Sequence, residues 1–136
     1  MENSRRHTLG KEERLKSRKQ TDLLFREGKS FSVFPFRVVY RVLPGLTGRA
    51  QAGFSVSARY FKKAVDRNRI KRLIREGYRL QKNQLLQRCE NENKNLDVFF
   101  IYTGNEVPEY DLVFDKIHAA IKRLEKVIHE NTASNT

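Results

Sequence analysis

Between Lys62 and Leu80, in the stretch KKAVDRNRIKRLIREGYRL, eight lysines and arginines stand against only Asp66 and Glu76. Such side chains bind anions, and arginine, with its planar fork of N–H donors, can grip phosphate oxygens in pairs. The spacing gives the charge a direction. At about 100° per residue, Asn68, Lys71, Arg72, Arg75 and Arg79 fall on one side of a helix, opposite an apolar stripe of Ile70, Leu73, Ile74, Gly77 and Leu80. A solvated surface helix ordinarily mixes both signs, whereas here only Glu76 interrupts the basic side. A nucleic acid is the polyanion that this face suits, with Arg67 and Arg69 flanking the stripe at the helix's N-terminal end. Membrane surfaces also attract basic helices, but this stripe has neither Trp nor Phe and is needed for a core.

Aromatic residues offer a second chemistry. Phe25, Phe36 and Tyr40 lie near arginines in sequence and could stack on unpaired bases, as single-strand binders do; Tyr40 suits a wet surface best because its hydroxyl tolerates water. Groups for protein catalysis are not assembled. His7, His118 and His129 are scattered over the start of the chain and its last helix, and the carboxylates concentrate away from the basic stretch. Cys89 is the single cysteine, which excludes an internal disulfide and a multi-cysteine zinc site and fits a reducing cytoplasm. No apolar run is long enough to span a membrane, and the opening residues lack the apolar core of a signal peptide.

The whole chain supports the same reading. Its 136 residues suit one domain, and a net charge of +12 far exceeds what solubility requires. Residues 62–82 alone carry +7, while residues 83–136 carry −3, so the field is directional.

The elements that must position these residues follow from local pattern. Residues 1–16 read as a flexible basic arm, 17–130 as a single folded nucleic-acid-binding domain and 131–136 as a fraying tail. Ser17 and Gln20 form a capping box for a short helix that stops at Gly28. FPFRVVYRVLP alternates as a strand, with Phe36, Val38, Tyr40 and Val42 on one face and Arg37, Val39 and Arg41 on the other. A second strand, Ala50 to Ser57, follows a loop containing Pro44, Gly45 and Gly48, and pairs antiparallel with the first. The basic helix starts near Ala64. A polar connector, QRCENENKN, leads to a buried strand from Asp97 to Tyr102, and a last amphipathic helix runs from about Tyr110 to His129. The class is α+β, with helices covering one side of a small sheet.

The segment RNRIKRLIRE, Arg67 to Glu76, resembles the signature of the bacterial ribonuclease P protein subunit. The likeness extends through RLK at Arg14 to Lys16, LFREGKSF around Phe25 and Gly28, GFSVSARYFKKAVD and the strand after Asp97, covering about Arg14 to Leu124. The resemblance implies a small α/β sandwich similar to the second domain of ribosomal protein S5. Its order would be α-β-β(-β)-α-β-α, with a left-handed βαβ crossover through the basic helix against the usual right-handed rule. It also implies a cytoplasmic ribonucleoprotein in which the RNA subunit, using Mg2+, hydrolyses precursor tRNA at the 5′ end of the mature sequence, with no catalytic residue on the protein.

On this chain the resemblance makes Arg67, Asn68, Arg69, Lys71, Arg72 and Arg75 the face for the RNA subunit. Phe25, Val38 and Tyr40 become the cleft for the 5′ leader. Thr21 stands where many members have Phe, shifting the leader grip towards Phe25 and Tyr40, and Gly77 on the apolar side implies close packing. Neither DNA nor a membrane is an expected partner. The basic helix would then hold together two polyanions, a folded RNA and its RNA substrate, that otherwise repel each other. The rival readings are a ribosomal or ribosome-assembly protein of similar fold and a nuclease acting without RNA. A helix-turn-helix DNA binder fits less well, because the basic helix follows a strand.

Overall fold

The computed structural model describes residues 9–15 and 17–134. Ser17 caps the first helix, α1 (Arg18–Glu27), by accepting a hydrogen bond on its Oγ from the Gln20 N–H at 3.3 Å. The helix ends at Gly28, whose N–H donates to the Leu24 carbonyl. Gly28 is required there by close approach of backbone, since a Cβ would lie 2.5 Å from the Leu24 oxygen and 2.8 Å from that of Tyr40.

Four strands follow in two groups: β1 (Lys29–Val33), β2 (Phe36–Pro44) and β3 (Arg49–Val56) precede the long helix α2 (Ala64–Asn91), and β4 (Lys94–Tyr102) comes after it. The last helix, α3, runs Tyr110–Ser134. Spatially the order is β1-β2-β4-β3, with β1·β2 and β2·β4 antiparallel and β3·β4 parallel. The expected antiparallel pairing of β2 with β3 is therefore replaced: β4 inserts between them. The loop between β2 and β3 arches over the start of β4, where the Gly45 N–H donates to the Asn93 carbonyl at 2.9 Å. α2 is the crossover that the parallel β3·β4 pair requires.

The sheet is covered on both faces rather than on one. α2 and α3 bury Phe36, Val38, Leu96, Val98 and Phe100 beneath Ile70, Ile74, Tyr78, Ile117, Ile121 and Leu124. Each such fully buried side chain contributes roughly 1.5–3 kcal/mol. α1 covers the other face, where Leu24 and Leu15 pack on Val39. Period-two alternation separates the two sets on β2.

Three further expectations change. Order extends into residues 9–15, which had been assigned to the flexible arm; Leu9 and Leu15 are buried, and Arg14 bridges to Ala52 on the outer edge of β3. Glu13 reaches Lys82, which is 1% exposed, at 2.6 Å, so burial of two leucines and one ion pair fixes the segment. Residues 1–8 and Lys16 of that arm lie outside the described residues. The supposed polar connector does not exist as such: its start, as far as Asn91, continues α2 with Cys89 facing the core next to Leu85 and Leu86, and its end, from Lys94, already belongs to β4. At the far end, α3 extends beyond residue 131, where a tail had been expected to begin.

Candidate nucleic-acid interface

α2 has two functional halves. Its inward side, from Ile70 onwards, is packed in the core, while the outward side of its N-terminal half carries the basic residues. Asn68, Arg69, Arg72 and Arg75 are exposed and Lys71 is half-buried. Among the described residues, none of the four cations among them is ion-paired. Arg79 differs: its guanidinium holds Glu76 at 2.6 Å, and this hydrogen bond keeps the Glu76 carboxyl below its ordinary range. The one acid on the basic side is thereby neutralised by its neighbour one turn on.

Arg67 also departs from expectation. It stands on the buried side of the first turns, about 20° round the helix from Ile74, and its Nη1 donates to the Phe61 carbonyl at 2.7 Å. That bond fastens the loop between β3 and α2, so Arg67 shapes the face more than it furnishes it. Leu80, assigned to the apolar stripe, is 39% exposed, and Tyr78 takes its place in the core. Gly77 does face α3, but a Cβ there would meet Val113 at 3.5 Å, an ordinary contact, so the packing is less tight than its glycine implies.

The three residues expected to form a leader cleft do not come together. Val38 is wholly buried beneath α2 and α3. Tyr40 lies on that same helix-covered face, half-buried beside Phe31. Phe25 extends from α1 on the opposite face and meets Phe99 of β4, ring centroids 5.2 Å apart. Alternation along β2 reveals which residues share a face; it is silent on which helix covers that face, and α1 covers the other one.

What gathers around Phe25 is a different set. On the α1 face, cross-strand register aligns Val39 with Phe99 and Gly53, and Arg37 with Ile101 and Ser55. Gly53 makes room for the Phe99 ring, since a Cβ would lie 2.5 Å from it. Arg37 is exposed, Ile101 and Phe99 are partly so, and Phe25 is 46% exposed. A depression of about 260 Å³, lined by Leu9, Arg14, Gly53, Arg75 and Phe99, joins this face to the basic side of α2. Phe99 was legible only as a strand residue in LDVFFIYTG, and Arg14 as part of an arm and of the RLK that carries the resemblance, with no role; the alternation of β4 could have put Phe99 opposite Phe100, but not under α1. Asp97, on the same face, is partnered by Arg41 at 3.7 Å, yet burial outweighs that attraction and lifts its carboxyl above the ordinary range.

An aromatic sheet face, a bridging depression and an uncompensated arginine arc together define a polyanion-binding α+β module. The sequence profile of Ribonuclease P matches residues 9–125, and the chain belongs to that protein family. It is 37% identical over 119 residues to the ribonuclease P protein component of Porphyromonas gingivalis, covering 85% of each chain. It is 31% identical over 122 residues to that of Chlorobium phaeobacteroides, covering 82% of this chain and 84% of the other. Among solved structures, the RNase P protein from Thermotoga maritima superposes with a TM-score of 0.63 at 30% identity, over 82% of this chain and 96% of that one.

Proposed function

We propose that this chain is the protein subunit of ribonuclease P, binding the catalytic RNA and the 5′ leader of precursor tRNA to assist endonucleolytic 5′ maturation. Asn68, Arg69, Lys71, Arg72 and Arg75 meet phosphates of the RNA subunit, and Arg67 holds the loop that presents them. The leader lies on the α1 face, with unpaired bases against Phe25 and Phe99 and phosphates near Arg37, Arg14 and Arg75. The observation that carries this reading is the depression shared by Arg75 and Phe99, which brings the basic helix and the aromatic face to one junction. Neutralising phosphates at that junction favours the joining of two polyanions and lowers the magnesium they need.

The protein itself supplies no catalytic group in this reading; the chemistry and its Mg2+ belong to the RNA. Among the described residues, no three His, Cys, Asp or Glu side chains converge to hold an ion. No described helix is long and apolar enough to cross a membrane, and the cytoplasm, where tRNA precursors are processed in bacteria, is the proposed location.

Reconstitution tests the whole. Precursor tRNA should be cleaved at low magnesium only when protein and cognate RNA subunit are both present, and RNA-free protein should be inert. Cleavage by RNA-free protein that vanished on changing a carboxylate would identify a nuclease in its own right. Ribosomal RNA as the main co-purifying species, without stimulation of cleavage, would favour the ribosomal alternative.

A further inference from the structure

The helix-covered face of the sheet stays open along one margin. Between the C-terminal half of α3 and the strands β1 and β2 lies a groove of about 580 Å³, lined by Phe31, Tyr40, Lys122, Arg123, Lys126 and Glu130. A smaller depression of about 120 Å³ continues it past Tyr40 to Lys29 and Glu27. Register pairs Lys29 with Tyr40, so both stand on the same face of the sheet. Tyr40 thus lies between the two hollows.

Charge here runs against the trend of the C-terminal part of the chain. Lys29, Lys122, Arg123 and Lys126 surround the groove, against Glu130 at one end and Glu27, which is held by Arg41 at 3.1 Å, at the other. Lys122 is partly engaged, donating to Gln84 at 2.8 Å, and Glu125 lies 3.9 Å from it. Lys29 and Lys126 are exposed, and neither has an ion-pair partner among the described residues. The Arg123 guanidinium rests 4.5 Å above the centre of the Phe31 ring, which restrains it before any ligand arrives.

From this juxtaposition we infer a second RNA-binding groove, separate from α2 and the α1 face, that takes an unpaired strand. Lys29, Arg123 and Lys126 would meet its phosphates and Tyr40 would offer a surface for one base. Cations alone would suit a duplex backbone equally. The exposed part of Tyr40 between the cations favours a single strand, whose bases are free to stack. Phe25 and Phe99 lie on the opposite face of the sheet, so a strand occupying them leaves this groove empty.

The test uses the full chain and a short fluorescent oligouridylate, and needs no catalytic RNA, so its outcome is independent of the function proposed above. In an Arg69→Ala, Arg72→Ala, Phe25→Ala, Arg37→Ala background, which disables both α2 and the α1 face, oligouridylate binding should persist. Adding Lys29→Glu and Lys126→Glu, both at exposed positions, should lower it at least tenfold. Replacing both cations with Ala should lessen the slope of log affinity against log salt by about 1.4, at roughly 0.7 per phosphate contact on a single strand. Tyr40→Leu should weaken the oligouridylate several-fold and leave the salt slope unchanged, and a duplex should compete poorly. Unaltered binding after charge reversal, with thermal melts showing folded protein, would overturn the groove. So would equal affinity for duplex and single strand combined with indifference to Tyr40→Leu.

Discussion

Arg67 donates to the Phe61 carbonyl whereas Arg69, two positions on, is exposed and has no ion-pair partner among the described residues, so removing each guanidinium separates folding from binding. Arg67→Ala should lower stability by about 1.5–3 kcal/mol, the worth of a hydrogen bond from a charged donor, seen as an earlier thermal transition. Arg69→Ala and Arg72→Ala should melt with the wild type and bind the RNA subunit about tenfold to a hundredfold less tightly each, the equivalent of roughly 1.5–3 kcal/mol. Equal melting of Arg67→Ala and wild type would remove its structural role. Cys89 allows a sharper test because burial, with help from nearby acids, pushes its thiol from an ordinary 9.0 up to about 12. The folded state therefore holds the proton more tightly than the unfolded one, so this contribution is intact below about pH 9 and is lost as pH rises towards 12. Melting temperature should fall across that window, and Cys89→Val should flatten part of the fall; the fully buried Tyr78, with Tyr102 and Tyr110, all raised in the same direction by burial, contributes to what remains. In native protein the thiol should ignore a disulfide reagent at about pH 8 and react fully on unfolding.

Elements add what single residues cannot. Gly77 sits within α2, and since a Cβ there meets Val113 at an ordinary 3.5 Å, Gly77→Ala should raise stability by about 0.5–1 kcal/mol through helix propensity. Denaturant midpoints measure this, and a loss would mean that α2 and α3 pack more tightly than their separation indicates. Gly53→Ala is the contrasting case. It must displace the Phe99 ring, so it should weaken binding of precursor tRNA with a long leader while sparing a precursor whose leader is too short to reach the α1 face. Equal losses with both substrates would place the leader elsewhere. The sequence made α1, β2 and the start of α2 readable because a cap, an alternation and a helical stripe are each local. β1 has Phe31 as its only buried residue, which no alternation can announce, so local pattern does not reveal it and only the strand order implied by the family resemblance left room for it. The last turn of α2 reads as a connector because its inward side there is Cys89 alone, set among Gln, Arg, Glu and Asn.

At the scale of the whole molecule, pairing and coverage are non-local, and local sequence pattern does not specify them. Two strands joined by a short loop look like a hairpin, yet β4 arrives from beyond α2 and separates β2 from β3. The basic face survived this rearrangement because it depends on one helix alone. The aromatic cleft did not, because it needed to know which layer covered which face; Phe25 and Tyr40 ended on opposite sides of the sheet. The segment 9–15 illustrates the same limit: few apolar residues and many charges look unstructured until Lys82, far along the chain, offers a buried partner for Glu13.

That same segment lies on the outer edge of β3, where Arg14 bridges to Ala52 and the Leu15 N–H donates to the Ala52 carbonyl at 2.9 Å. A sheet edge with free N–H and C=O groups is a template for another chain, and natural proteins cover or blunt such edges to stay apart. Removing residues 1–15 would uncover the edge and leave Lys82 buried without its counter-ion, a loss of about 3–5 kcal/mol for a broken buried pair. The shortened chain should therefore self-associate in a concentration-dependent way, visible by sedimentation or light scattering, whereas Glu13→Gln in the full chain should lose stability yet remain monomeric. A monomeric shortened chain would mean that the strand edge is guarded by something other than the residues that lie along it. If the expected result is obtained, the opening residues act as a shield against aggregation, a role that holds whether or not any RNA is bound.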